Sequence, residues 1–276
     1  MDSYRPRIVP ELGNPAVRFK PQTIDEVFSR SYTSTRPSFF RPNIFSTALG
    51  SCYCENLDSK VLVLFNSLRQ SKASIVNDKR LSIDVKFAIT SQASHRGYKR
   101  PHRHNRRDIE RTLSSQLISA LAPSIQFTHY PNAVIECSVL VLFDDLSVFS
   151  LAVCGLSLSL ASAGIKMLDV VAAVEGLTIK DKIYMDVSLK ENECINDSDF
   201  SNQPVQRIAI ATMSNLNQIT YIQQSTKGNS TNDGTNFESL VRKCLAICTE
   251  RRTQLCQILK ADFVAKHLEL QKELIV

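Results

Sequence analysis

The chain has 276 residues, 43% of them hydrophobic, with 33 lysines and arginines against 27 acids and a net charge of +6. That is enough apolar material for one large domain or two small ones, and it excludes a disordered or fibrous polypeptide. The longest apolar stretch, 147–163, is broken by Ser147, Ser150, Gly155, Ser157 and Ser159, and no run approaches the roughly 20 apolar residues of a membrane-crossing helix. The first 19 residues are polar and carry Arg5, Arg7 and Arg18 without the apolar block of a secretory signal, so a nuclear and cytoplasmic location is expected.

Residues 1–40 are rich in Pro, Ser, Thr and Arg with little periodicity, the pattern of a partly irregular N-terminal arm. One folded domain, 41–276, is expected to follow. Apolar runs at Phe45–Glu55 and Lys60–Leu68 flank Asn56-Leu57-Asp58-Ser59, a turn composition that predicts a hairpin. A third strand is predicted over Ser82–Thr90.

From His95 to Arg107 the chain reads HRGYKRPHRHNRR: six cationic side chains, three histidines and no acid. Arg96, Lys99, Arg100, Arg103, Arg106 and Arg107 are therefore the candidate RNA-binding residues, since clustered cations neutralise phosphates and Tyr98 with the histidines offers stacking surface. The bland alternative is a solvated loop, or a loop facing an acidic neighbour. A metal site at His95, His102 and His104 would need ligands from a second ordered element, and no Cys-x-x-Cys partner exists, so no metal or cofactor is expected.

A helix is predicted over Asp108–Leu121, where Ile109, Leu113, Leu117, Ile118 and Leu121 share a face, Asn105 or Asp108 starts it and Pro123 follows. Ala133–Leu142 and Val148–Val153 read as a second hairpin about an Asp144-Asp145 turn. Cys154–Ala163 reads as a buried helix ending at Gly164. Strands are expected within 167–174, 183–187, 207–213 and 218–224, and surface loops over 190–204 and 226–236. A long closing helix runs from Phe237 to about Leu274, with Leu240, Val241, Cys244, Leu245, Cys248, Leu255, Ile258 and Leu259 at helical spacing.

Strands and helices mixed in this way, without strict βαβ alternation, make an α+β fold with mixed sheets. The cysteines fall inside apolar segments rather than at the spacings of a secreted disulfide framework and are expected to be reduced core residues. Ser157 and Ser159 lack a nucleophile-elbow setting and are assigned to packing.

Several stretches in one order carry a resemblance. They are Arg41-Pro42 with Gly50-Ser51-Cys52-Tyr53-Cys54-Glu55; Leu117 to Pro123 with Tyr130-Pro131; Ala163-Gly164-Ile165-Lys166-Met167; and Met213 to Ile219 with Leu216-Asn217-Gln218. Together, from about Arg36 to Leu259, they resemble the RNase PH-type ring subunits of the eukaryotic RNA exosome, most of all the mRNA-transport-regulator type.

The resemblance implies the RNase PH fold, which is similar to ribosomal protein S5 domain 2, with packed helices and a long C-terminal one. It implies a hexameric ring of RNase PH-type subunits capped by RNA-binding subunits, single-stranded RNA in a central channel, and a place in rRNA and mRNA processing and degradation in nucleus, nucleolus and cytoplasm. Active relatives cut RNA 3′-to-5′ by phosphorolysis. Their Gly-Gly-Thr-Arg-type sequence corresponds to 145–150 here, with Phe149 in place of the arginine and Val148 in place of the threonine. A phenyl ring forfeits charge-assisted bonds of roughly 1.5–3 kcal/mol each.

The paired catalytic aspartates of the family correspond to Asp186 and to the region of Gln206-Arg207, unless Asp197 or Asp199 takes the second place. The resemblance thus implies a non-catalytic subunit with no catalytic residues; an active phosphate-dependent exoribonuclease is the alternative, and an isolated RNA-binding protein of this fold a third reading.

Overall fold

The computed structural model describes residues 35–56, 59–70, 81–87, 103–131, 133–179, 182–189, 191–192, 205–227 and 234–273. Strands β1 (Ser38–Pro42), β2 (Gly50–Asn56), β3 (Ser59–Gln70) and β4 (Leu81–Phe87) precede helix α1 (Arg103–Leu121). Strand β5 (Ala133–Phe143) leads into helix α2 (Val148–Ser162). Strands β6 (Ala172–Ile179), β7 (Lys182–Met185), β8 (Val205–Met213) and β9 (Gln218–Lys227) follow, and helix α3 (Gly234–Glu273) closes the fold.

The strands form two sheets, ordered β1-β2-β3-β5-β4 and β7-β6-β8-β9. All neighbours are antiparallel except β4 and β5, which run parallel because α1 returns the chain to the start of the sheet. In the first sheet alternate residues turn to one buried face: Val61, Val63 and Phe65 on β3, Ile83 and Val85 on β4, Cys137 and Val139 on β5. Helix α2 lies against that face and against β6 and β8 of the second sheet, so it is enclosed between both.

The approach of α2 to the first sheet depends on Gly155. A Cβ there would collide with Cys54 Sγ and press on Val63. At the other end of the helix Gly164 has φ +80°, the left-handed conformation that closes a helix. Cys52, Cys54, Cys137, Cys154, Cys244 and Cys248 are buried, as their apolar surroundings in the sequence predicted.

The α+β architecture, the β2–β3 hairpin and the long terminal helix agree with the sequence reading. Three elements do not. The run 148–153 is not a strand and makes no second hairpin; it is the first half of α2. Every residue from Val148 to Leu160 is buried, so the run shows neither the alternation of a half-buried strand nor an amphipathic stripe, and an apolar run of that length is ambiguous. Strand β6 begins at Ala172 rather than Met167, because 163–171 connect α2 to the second sheet and Met167 makes only an isolated bridge to Ile125.

Helix α1 begins at Arg103, five residues before Asp108, so Arg103, Arg106 and Arg107 stand on its first turns instead of in a loop. Arginine is a good helix former, and an Arg106–Glu110 pair one turn apart at 3.0 Å supports the extension. Residues 1–34 of the expected arm lie outside the described residues. Residues 36–40 belong to the packed domain: Arg36 is buried and β1 pairs along the whole of its length with β2.

Candidate functional site

The head of α2 carries the stretch 145–150 that the resemblance matches to a phosphate-holding sequence, and it is fixed by a buried polar network. Asp145 accepts hydrogen bonds from the Leu189 amide at 2.7 Å and from Arg36 at 3.1 Å. Arg36 also donates to Glu191 at 2.9 Å, and Glu191 accepts from the Ser188 amide at 2.7 Å. Asp144 accepts from the amide of Leu146, which sits at φ +69° and turns the chain into the helix. The Asp144-Asp145 turn is therefore present, but it leads into a helix and both aspartates are buried.

The first turn of a helix presents amide hydrogens without intrahelical partners, and these together with the helix dipole attract anions. Here the Ser150 amide donates to Glu175 Oε1 at 3.3 Å. A carboxyl group of the chain itself thus occupies the anion-seeking end. Phe149 and Val148 are both buried, and the Phe149 ring lies 5.1 Å from that of Tyr221 on β9. A free phosphate approaching the head of α2 would meet a phenyl ring and a carboxyl group.

Burial pushes the Glu175 carboxyl up to about 8; the Ser150 amide pulls the other way, while the carboxylates of Asp186 and Asp144 add to the rise. Glu175 was not singled out by sequence reasoning. Its signal was available: the one charged residue in the strand 172–179.

Asp186 follows β7 at φ +50°, and its amide donates to the Glu175 carbonyl at 2.8 Å. The residue is 1% exposed and its carboxylate is ion-paired with Arg251 of α3. Arg251 also donates to the Ala173 carbonyl at 2.9 Å. Burial lowers the affinity of that guanidinium for its proton, but Asp186 and further buried groups beside it raise it overall. The aspartate that the resemblance matches to a catalytic acid is therefore buried in an ion pair. Gln206 and Arg207 lie on β8, half-buried, and Arg207 donates to Asn192. Asp197 and Asp199 lie outside the described residues.

Of the candidate RNA-binding residues, Arg96, Lys99 and Arg100 lie outside the described residues, as do His95 and His102. Arg103 is placed by the helix backbone, at the start of α1. Arg106 Nε is bound to Glu110, which also accepts from the Phe87 amide at 3.2 Å and so ties α1 to the end of β4. Arg107 is exposed. Arg111, which the sequence reading left out, is exposed one turn further on, with Asp108 at 3.9 Å. Positions 103, 107 and 111 are spaced four apart and share a helix face.

Comparison with known proteins bears on both regions. Residues 34–166 match the family model described as 3′ exoribonuclease family, domain 1. The chain is 29% identical to the Arabidopsis thaliana exosome complex component RRP41-like over 199 residues, 71% of this chain and 74% of that protein. It is 30% identical to the human exosome complex component MTR3 over 174 residues, 59% of this chain and 62% of that one.

Among solved structures, rice Rrp46 superposes with a TM-score of 0.61 at 18% identity, covering 83% of this chain and 98% of that one. A chain of the Archaeoglobus fulgidus exosome with RNA bound to the active site superposes equally well, at 14% identity over 84% and 96%. Sequence match, order of elements and superposition agree: the chain has the RNase PH fold and is similar over most of its length to the exosome components RRP41 and MTR3.

Proposed function

We propose that this chain is a non-catalytic structural subunit of an exosome-type ring of RNase PH-like proteins, supporting 3′-to-5′ processing and degradation of RNA in the nucleus, nucleolus and cytoplasm. The observation that carries the reading is the head of α2, where Glu175 meets the Ser150 amide and Phe149 and Val148 replace the phosphate-holding pair. The buried Asp186–Arg251 pair supports it, because an acid already paired and enclosed is not free to protonate a departing 3′ oxygen.

Assembly is supported by the surface. The Asn43–Asp262 hydrogen bond at 2.6 Å sets the loop carrying Ile44, Phe45 and Leu49 beside the stretch of α3 carrying Phe263, Val264 and Leu268, all six exposed. Exposed apolar groups gathered in this way mark a surface that is covered by a partner. The partners in this reading are other RNase PH-type subunits and the RNA-binding cap subunits, which the relatives' names as exosome components support.

Single-stranded RNA is contacted through Arg96, Lys99, Arg100, Arg103, Arg106 and Arg107, with Arg111 extending the row. Arg106 has the smallest role among those described because Glu110 already holds it. Such contacts hold the backbone and confer little sequence preference.

The test is a phosphorolysis assay on single-stranded RNA, with the chain alone and assembled with its co-purifying partners, with and without inorganic phosphate and magnesium. No nucleoside diphosphate release attributable to this chain, together with recovery of a multi-subunit ring, is expected. Phosphate-dependent release that is abolished by Asp186→Asn overturns the reading in favour of an active exoribonuclease.

A further inference from the structure

The two sheets end in four edge strands, β1, β4, β7 and β9. An edge carries a row of backbone N–H and C=O groups that any extended chain can pair with, so folded proteins shield it by short length, charge, proline or covering side chains. Three of the four edges are shielded in these ways. Strand β1 has five residues, ends in Pro42 and exposes Arg41. Strand β4 exposes Asp84 and Lys86, and α1 reaches over it: Ser114 Oγ donates to the Ile83 carbonyl and Glu110 accepts from the Phe87 amide at 3.2 Å. Strand β7 has four residues, of which Ile183, Tyr184 and Met185 are buried.

Strand β9 has none of these protections. It runs for ten residues, and from Gln218 to Thr226 it contains no charge, no proline and no glycine. Its pairing with β8 uses one edge, and among the described residues no hydrogen bond reaches the backbone of the other. The Tyr221 ring, 5.1 Å from that of Phe149, holds one face of the strand to the fold. Its neighbour Ile222 turns to the opposite face and is 47% exposed, and the residues after it as far as Thr226 are exposed as well.

An unpaired edge takes another backbone in extended form. The side chains of β9 match a copy of themselves. In antiparallel pairing about a two-fold axis, residues of the same segment oppose one another, and between Gln218 and Thr226 no register sets like charges face to face. With the axis at Ile222 the two exposed isoleucines meet at the centre, Tyr221 stands opposite Gln223 and Thr220 opposite Gln224. Such pairing is self-complementary and closes at two copies.

We infer that β9 is a pairing edge for a second copy of this chain, joining the two four-stranded sheets antiparallel through Ile222 into one continuous sheet. The inference stands apart from the ring reading, which rests on other residues. One strand against one strand is a small interface, so the association is weak and reversible.

Sedimentation velocity of the full-length chain across the micromolar range tests it. A monomer–dimer equilibrium is expected, with the association constant lowered about tenfold or more in Ile222→Lys and in Ile222→Glu. Mixing the two variants in equal amounts should restore association, because only a pairing that sets position 222 against itself turns repulsion into attraction. The side chain is exposed, so both variants should keep the circular dichroism spectrum and melting temperature of the wild type. Hydrogen exchange at the amides of 218–226 should slow as concentration rises.

A monomer at every concentration, a dimer untouched by the substitutions, no recovery on mixing, or growth beyond two copies overturns the inference. Protection of the β9 amides only in an assembled ring, with the chain alone monomeric, overturns it in favour of a strand from a neighbouring subunit. Each of these leaves the proposed function standing, and failure to recover a ring leaves the pairing of β9 standing.

Discussion

Glu175 stands in a strand of otherwise apolar residues with its carboxyl against a helix terminus, and its proton has consequences that can be measured. Its folded-state value of about 8 lies above the ordinary carboxylate value of 4.5. Between those two values the folded chain keeps a proton that the unfolded chain has released. The unfolded state therefore binds fewer protons, and the contribution of this group to stability falls as pH rises through the window, by at most about 1.4 kcal/mol per pH unit. Below the window the contribution is whole; above it the loss is complete. Chemical denaturation at pH 5, 6.5 and 8 should show Glu175→Gln gaining on the wild type as pH rises, and an unchanged difference between the two would show that Glu175 titrates normally.

Arg251 and Asp186 make the opposite case, a buried pair in which each charge depends on the other. Arg251→Met removes the guanidinium paired with the buried Asp186 carboxylate and is expected to cost roughly 3–5 kcal/mol. Asp186→Leu in the same chain should return much of that stability, because a buried pair replaced by apolar groups of similar volume is often nearly neutral. Failure of the double variant to recover would mean that Asp186 serves something besides Arg251.

At the scale of elements, α2 is the member on which the rest is assembled. It touches both sheets and both other helices, and its close approach to β2 and β3 rests on the missing side chain of Gly155. Gly155→Val is expected to cost about 1–3 kcal/mol by overpacking against Cys54 and Val63, or more where the helix has to move. Thermal unfolding reads this directly. A neutral outcome would contradict the close packing of α2 on the first sheet.

The same helix shows why part of the fold was legible in the sequence and part was not. The β2–β3 hairpin could be read because apolar runs flank Asn56-Leu57-Asp58-Ser59, and α3 because one face is apolar and the other charged. The first half of α2 could not, since a helix buried on every side carries no periodicity. The start of α1 was missed because five polar and basic residues precede its apolar face. Glu175 escaped for a related reason: it is one acid whose partner, the Ser150 amide, lies 25 residues earlier in the chain and is a backbone group. The replacement of a phosphate-holding pair that the resemblance implies is legible at Phe149 and Val148, whereas the carboxyl group beside the Ser150 amide was not.

At the scale of the molecule, charge is divided between two neighbouring regions. Arg107 and Arg111 are exposed one turn apart on α1, while Asp144 and Glu175 stand at the head of α2. Arg107→Glu with Arg111→Glu is expected to lower the affinity of the assembled protein for single-stranded RNA and to reduce the steepness of its salt dependence by roughly 0.7 for each phosphate that is no longer neutralised. Arg106→Ala should do less, since Glu110 already neutralises it. RNA affinity and salt slope that are unchanged by the double charge reversal would remove the basic row from the RNA path.

Whether the head of α2 still takes phosphate decides between a structural and a phosphorolytic subunit, and titration of inorganic phosphate into the full-length chain by calorimetry asks this most directly. The wild type is expected to show no saturable binding up to roughly 10 mM, the concentration range of a site weaker than about −3 kcal/mol. Glu175→Gln combined with Phe149→Arg and Val148→Thr supplies a control in which the internal carboxyl group is removed and a cation and a hydroxyl are introduced. Saturable millimolar or tighter binding by the wild type would contradict the non-catalytic reading and favour a phosphorolytic subunit.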